Sequence, residues 1–244
     1  MILILGSTHD DILYFESVMT NKKEEKIFDR YSLIFGTIFN QEVVVAYDLH
    51  TSYISTFITS YIIQKYFIVL VFVVGRCIAY SKDNKPGDIA ISRRVIFGDV
   101  NQISETNVKL GQIPQLPTYL ESGEDVIGYL ISAIEKRSFA RYCVATYVSA
   151  NSIIDKSEKL KNITMNDYLL GQKNDVVFDC TAGGAFISAN LYKIPIVAIK
   201  VIERGIDEPS SVDDYINVLK QYSNVGRAVV TCIGDIGRND FIKE

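Results

Sequence analysis

Glu203 and Arg204 follow IVAIKVI, a run that begins straight after Pro195 and reads as a buried strand. A carboxylate and a guanidinium at the carboxyl end of such a strand stand where open α/β sheets present their chemistry. The same rule selects Ser7 to Asp11 after MILILG, Arg76-Cys77 after YFIVLVFVV, Asn151 to Ile154 after YCVATYVSA, and Thr181 after VVFDC. Both histidines, His9 and His50, fall in loops of this kind. The set offers carboxylates for general acid or base work, hydroxyls for hydrogen bonding and fixed positive charge. No ligand cluster has metal-binding spacing, so neither a metal nor a cofactor is expected. Asp10 and Asp11 also open a predicted helix, where the dipole alone favours acids. Cys77 and Cys180 have no basic partner fixed by spacing and read as small buried hydrophobes.

The elements that must carry these residues alternate in type. MILILG is a first strand, followed by a short helix over about 10–19, and YSLIFGTIF and EVVVAYD flank Asn40-Gln41 as a hairpin. Over 52–65, Ile54, Phe57, Ile58, Tyr61 and Ile62 recur at helical spacing and place one face on the sheet. The apolar run over 66–74 is about half the ~20 residues a membrane helix needs, and its β-branched composition marks a central strand. After GDIAIS and VIFG, the stretch 101–119 with Pro114 and Pro117 is irregular. Ser122-Gly-Glu-Asp125 is a capping box opening a helix with Val126, Tyr129, Leu130, Ala133 and Ile134 on one face. YCVATYVSA and VVFDC are strands, and Ala182-Gly183-Gly184 is a small-residue turn before a helix to Lys193. A last helix, capped by Ser210 or Ser211, turns Val212, Tyr215, Ile216 and Leu219 inward. The pattern predicts the α/β class: a three-layer αβα fold with a central mixed sheet, one domain over 1–244.

With 244 residues, 48% hydrophobic and 22% charged, the chain can bury one large core. A net charge of -4 with scattered basic residues argues against nucleic acid as a partner. The amino-terminal stretch turns acidic before a hydrophobic segment of signal length develops, and Cys77, Cys143, Cys180 and Cys232 lie far apart. A cytoplasmic protein without membrane attachment is the expectation.

Pro86-Gly-Asp-Ile-Ala-Ile-Ser92, Asp99-Val100 and Gly111-Gln-Ile-Pro114 are followed by VSANSIIDKSEKL at 148–160 and VVFDCTAGGAFISANLYKIPIVAIKVI at 176–202. In order and spacing they resemble the nucleoside phosphorylase/hydrolase superfamily, and within it the bacterial methylthioadenosine/S-adenosylhomocysteine nucleosidases. That family carries a GDIV strand, a DV turn, a GQ(L/I)P loop, a VEMEA strand and a strand ending in SD. The resemblance runs nearly end to end and implies hydrolysis of the N-glycosidic bond of adenine nucleosides. Such chemistry uses an acid near the purine, a carboxylate that activates water and a carboxylate that grips the ribose. Carried over by position, the water-activating carboxylate falls on Asp11, the base-stacking pair on Ile153 and Ile154, and the ribose contacts on Cys180 and Thr181. Thr8, Arg76, Cys77 and Val212 complete the expected substrate-binding set.

The sequence departs from the family at three places. Thr181 stands for the ribose-binding glutamate. Glu203-Arg204 stand for the serine-aspartate pair, and a guanidinium with a pKa above ~12 cannot donate a proton at neutral pH. Proton donation would then fall to Glu203 or Asp207, whereas an Arg204 paired with Asp179 or Asp11 would hold a vestigial pocket closed. Arg76-Cys77-Ile78 and Asp48 to Ser52 replace a small turn and a glycine-rich loop. Two alternatives therefore stand beside a nucleosidase. One is a catalytically impaired homologue acting as a nucleoside-binding or partner protein. The other is a purine nucleoside phosphorylase, with Arg76, Arg204 and His50 attracting the anion. The resemblance further implies a purine nucleoside ligand and a homodimer in which Gly111 to Pro114 lie near the interface.

Overall fold

The computed structural model of the protein describes residues 1–100, 109–137, 140–151, 176–208 and 212–238, without the side chains of 212–215, 217 and 220. Among these, ten strands form one mixed sheet: β1 (Ile2–Gly6), β2 (Thr20–Ile27), β3 (Tyr31–Ile38), β4 (Gln41–Ala46), β5 (Leu70–Ala79), β6 (Ile89–Phe97), β7 (Leu120–Glu121), β8 (Tyr142–Ser149), β9 (Val176–Asp179) and β10 (Ile196–Gly205). The helices are α1 (Leu13–Val18), α2 (Ser52–Lys65), α3 (Glu124–Glu135), α4 (Ala182–Leu191) and α5 (Val212–Arg238). MILILG is apolar throughout because both faces of β1 are covered. Ile2 and Ile4 pack with α1, α3 and α5, while Leu3 and Leu5 pack with α2 and α4. The three-layer αβα arrangement follows directly from that alternation.

β5 is the axis of the molecule. β10 runs parallel along one side of it, and the other side is shared. Residues 70–74 pair with β1, and Ile78 and Ala79 pair with β9. Gly75, Arg76 and Cys77 lie between those two partners, so β1 leaves the sheet there and its continuation, Ser7 to Asp11, fits into the gap. The pairings β5–β10, β10–β6, β6–β8, β8–β9 and β9–β5 also close a ring, a curl that no local sequence signal announces.

Several expectations are corrected. Arg76 and Cys77 lie within β5 rather than after it, and Glu203 and Arg204 lie within β10. The hairpin turn is Phe39-Asn40, both at positive φ, since Ile38 already pairs with Gln41. β2, read as part of no element, is an exposed charged edge strand whose lysines and glutamates discourage further pairing. On α2 the buried stripe is Ser52, Ser55, Ile58, Thr59 and Ile62, and Phe57 is exposed. The small residues there admit α4, where Gly183 and Gly184 are helical rather than a turn. A Cβ on Gly184 would lie 2.0 Å from the Ser52 carbonyl oxygen. Gly123, not Ser122, is the N-cap of α3, because the Ser122 hydroxyl bonds Ser92 at 2.7 Å. On α5, Ile216 is exposed and Val218 is buried; Ser210, Ser211 and the side chains of Val212 and Tyr215 lie outside the described residues.

Candidate active site

The Ser7–Asp11 segment is held by its own backbone. After β1 the chain makes a 3-10 turn over His9–Ile12, and the Thr8 N–H donates to Asp11 Oδ2 at 2.7 Å. That bond turns the Asp11 carboxyl inward against β5. Gly75 makes the approach possible. Its φ is +136°, and a Cβ there would sit 3.0 Å from Ser7 Oγ and 3.2 Å from Asp11 Oδ2. Asp11 is 4% exposed, and its Oδ1 has no hydrogen-bond partner within the described protein. Burial pushes the carboxyl above the usual aspartate range; the Thr8 amide, Lys200, the Tyr222 hydroxyl and Arg76 offset this only in part. A carboxylate so raised, with one oxygen left for water, has the properties of a general base.

Deeper in the sheet, Lys200 from β10 is almost fully buried, as is Asp179 from β9. Lys200 Nζ donates to Asp179 Oδ2 and to Thr181 Oγ1, each at 2.7 Å. Asp179 Oδ2 also accepts from the Thr181 N–H at 3.0 Å and the Ala182 N–H at 2.7 Å, capping α4. Burial acts to raise this carboxyl, but Lys200 and the Ala182 amide prevail and hold it below the usual aspartate range. Thr181 therefore does not cap α4 through its side chain. Its hydroxyl, which lies 3.3 Å from Ser7 Oγ, joins this network to the Asp11 segment.

Glu203 occupies a bulge. Ile202 pairs with Cys77 and Arg204 with Ile78, leaving Glu203 as the extra residue. Its carboxyl lies 3.8 Å from Arg76 Nε. Arg204 reaches neither Asp179 nor Asp11, because its Nη1 donates to the Glu208 carbonyl at 2.7 Å. Asp207 lies 3.9 Å from Lys82, half-exposed, so of the two carboxyls named from sequence Glu203 is the one beside Arg76. Cys77 points into the core, where burial raises its thiol pKa. Cys180 is half-buried, and its carbonyl accepts from Ser52 Oγ at 3.1 Å. His9 stands against Tyr47 and Glu16, and His50 is exposed. Ile153, Ile154 and the Val212 side chain lie outside the described residues.

Sequence reasoning missed Lys200 and Tyr222. A lone lysine inside IPIVAIKVIE was itself a signal, since a charge buried in a sheet requires a partner. Tyr222 carried none, being one aromatic on a long amphipathic helix. The Gly111 to Pro114 loop folds onto the end of β6, with Gly111 at φ +81° and its carbonyl accepting from the Phe97 N–H at 3.3 Å.

Residues 1–233 match the family model of the Phosphorylase superfamily. The chain belongs to this superfamily. Among curated relatives, the 5'-methylthioadenosine/S-adenosylhomocysteine nucleosidase of Staphylococcus haemolyticus is 25% identical over 154 residues, covering 63% of this chain and 66% of that protein. The corresponding nucleosidase of Buchnera aphidicola is 24% identical over 208 residues, covering 84% of this chain and 78% of that protein. The Neisseria meningitidis nucleosidase in complex with methylthio-immucillin-A superposes with a TM-score of 0.85 at 20% identity, covering 96% of this chain and 98% of that one. The Helicobacter pylori futalosine hydrolase gives a TM-score of 0.83 at 16% identity, covering 96% and 97%. Superfamily membership and the phosphorylase/hydrolase-like αβα fold agree with what the motifs imply.

Proposed function

We propose that the protein is an N-glycosidase that hydrolyses purine nucleosides of the methylthioadenosine or S-adenosylhomocysteine type, with Asp11 as the base that activates water. The observation that carries this reading is the buried Asp11 carboxyl, with a raised pKa and a free Oδ1. Water on Oδ1 surrenders a proton to the carboxylate as its oxygen bonds to the anomeric carbon and the carbon–nitrogen bond breaks. The departing base needs a proton, and Glu203 is the carboxyl disposed to give it, with Arg204 turned away to Glu208. Ile153 and Ile154 remain proposed contacts of the base and Cys180 and Thr181 of the ribose, with Thr8, Arg76 and Val212 in the wider proposed substrate-binding set. A cytoplasmic homodimer with the Gly111 to Pro114 loop near its interface fits the same reading.

One observation favours a second reading, an impaired nucleoside-binding homologue: the Thr181 hydroxyl is engaged by Lys200 and brings no free carboxylate to the sugar. Phosphorolysis draws less support, because Arg76 is paired with Glu203 and Arg204 with a carbonyl. Incubation with methylthioadenosine, S-adenosylhomocysteine, adenosine and inosine, with and without phosphate, separates the three. Free base in water alone is expected. Release only with phosphate identifies a phosphorylase, and a thermal shift without release identifies the binding protein.

A further inference from the structure

We infer that Ser7 is a further catalytic residue: its hydroxyl oxygen accepts the hydrogen of the attacking water that Asp11 does not take, and the buried Lys200–Asp179 pair fixes that polarity through Thr181. This rests on the reading of Asp11 as the base. Thr181 is 4% exposed, and three groups meet at its hydroxyl. Lys200 Nζ, which can only donate, lies 2.7 Å away, and the Thr181 hydroxyl itself donates to Asp179 Oδ2 at 3.3 Å. A hydroxyl has one proton and two lone pairs, and here the carboxylate draws the proton. Ser7 Oγ, 3.3 Å from Thr181 Oγ1, is therefore the donor in that contact. With its proton turned inward, Ser7 presents lone pairs to the site.

Ser7 and Asp11 face one point. Gly75 has no side chain, and a Cβ there would lie 3.0 Å from Ser7 Oγ and 3.2 Å from Asp11 Oδ2. Ser7 is half-buried and directly precedes Thr8, whose N–H holds Asp11 Oδ2 at 2.7 Å, and Asp11 Oδ1 has no hydrogen-bond partner within the described protein. A single water, with hydrogen bonds of about 2.7–3.0 Å to either side, joins the two groups. One hydrogen aimed at Asp11 and the other at Ser7 leave an oxygen lone pair for the anomeric carbon. The step balances. The water O–H bond facing Asp11 breaks, its proton passes to the carboxylate, and the oxygen bonds to the anomeric carbon. The electron pair of the carbon–nitrogen bond leaves with the base, which takes a proton from Glu203. Ser7 neither gains nor loses a proton, and exchange with solvent resets the two carboxyls.

The test is base release from methylthioadenosine by wild type and Ser7→Ala in phosphate-free buffer, with and without methanol, and with thermal melting to confirm folding. Methanol has one hydroxyl hydrogen for Asp11 and none for Ser7, so its attack gains nothing from Ser7. Ser7→Ala should lose about 10-fold in kcat with KM nearly unchanged, the worth of one hydrogen bond, and the ratio of methyl glycoside to free sugar should rise about 10-fold. A merely structural role would slow both reactions alike. Wild type should use methanol about 10-fold less readily than water, mole for mole, a reading that needs no variant. An unchanged kcat, a loss carried by KM, an unchanged product ratio, or equal use of methanol and water by wild type overturns the role of Ser7 alone. No base release by wild type overturns the nucleosidase reading and this role with it.

Discussion

Lys200→Met removes one partner of a buried ion pair and leaves Asp179 in the sheet. Both side chains are almost wholly excluded from water, at 1% and 0% exposure, and Nζ makes its two hydrogen bonds at 2.7 Å. Uncompensated buried charge of this kind costs about 3–5 kcal/mol. In a chain of this size each kcal/mol shifts Tm by about 2–4 °C, so the variant should melt roughly 6–20 °C lower. The penalty must grow with pH, since Asp179 escapes it by taking a proton. Adding Asp179→Asn keeps an acceptor for the Ala182 N–H but removes the charge, so the double variant should recover much of the loss. A double-mutant cycle by calorimetry and denaturant unfolding at neutral pH should give a coupling on the order of 2–3 kcal/mol. A loss under about 1 kcal/mol for Lys200→Met, as an exposed pair gives, or strict additivity would refute this account of the network.

The other predictions concern the two aspartates and the glycine between them. Asp11 has a raised pKa in the fold, so its stabilising contribution belongs to low pH and is lost as pH rises. Asp11→Asn should therefore melt higher than wild type at neutral pH, with the gain vanishing below the ordinary aspartate range; an equal Tm at neutral pH would contradict the burial argument. Asp179 has the opposite sign. Its lowered pKa contributes stability above the ordinary aspartate range that is lost as pH falls through the folded value, so Asp179→Asn should flatten the acid limb of the wild-type unfolding curve. Gly75→Ala puts a Cβ at φ +136°, 3.2 Å from Asp11 Oδ2. It should cost about 1–3 kcal/mol and, by displacing the carboxylate, roughly 10²-fold in base release, measured by denaturation and by adenine assay.

Most of the framework was legible because apolar runs covered on both faces, such as MILILG and IVAIKVI, admit few readings. The position of Asp11 just beyond the carboxyl end of β1 was legible, since the segment after a first strand is where such a sheet opens. The errors have physical causes. β2 was missed because an exposed edge strand has no buried face to pattern it. Phe57 was placed inward because α2 meets α4 through small residues, a tertiary demand that inverts the usual apolar stripe. The partner expected for Arg204, Asp179 or Asp11, went elsewhere because a bulge at Glu203 shifts the strand by one residue, and bulges leave no mark in sequence. Tyr222 meets Asp11 across a long separation in the chain, a contact that only the closed fold creates.

The central claim is that Asp11 turns a bound water into the nucleophile. It is tested most directly by adenine release from methylthioadenosine in phosphate-free buffer, wild type beside Asp11→Asn. The account predicts turnover by wild type and a fall of about 10²–10⁴-fold in the variant, which still folds. Equal release by the two proteins, or none by either, would contradict it.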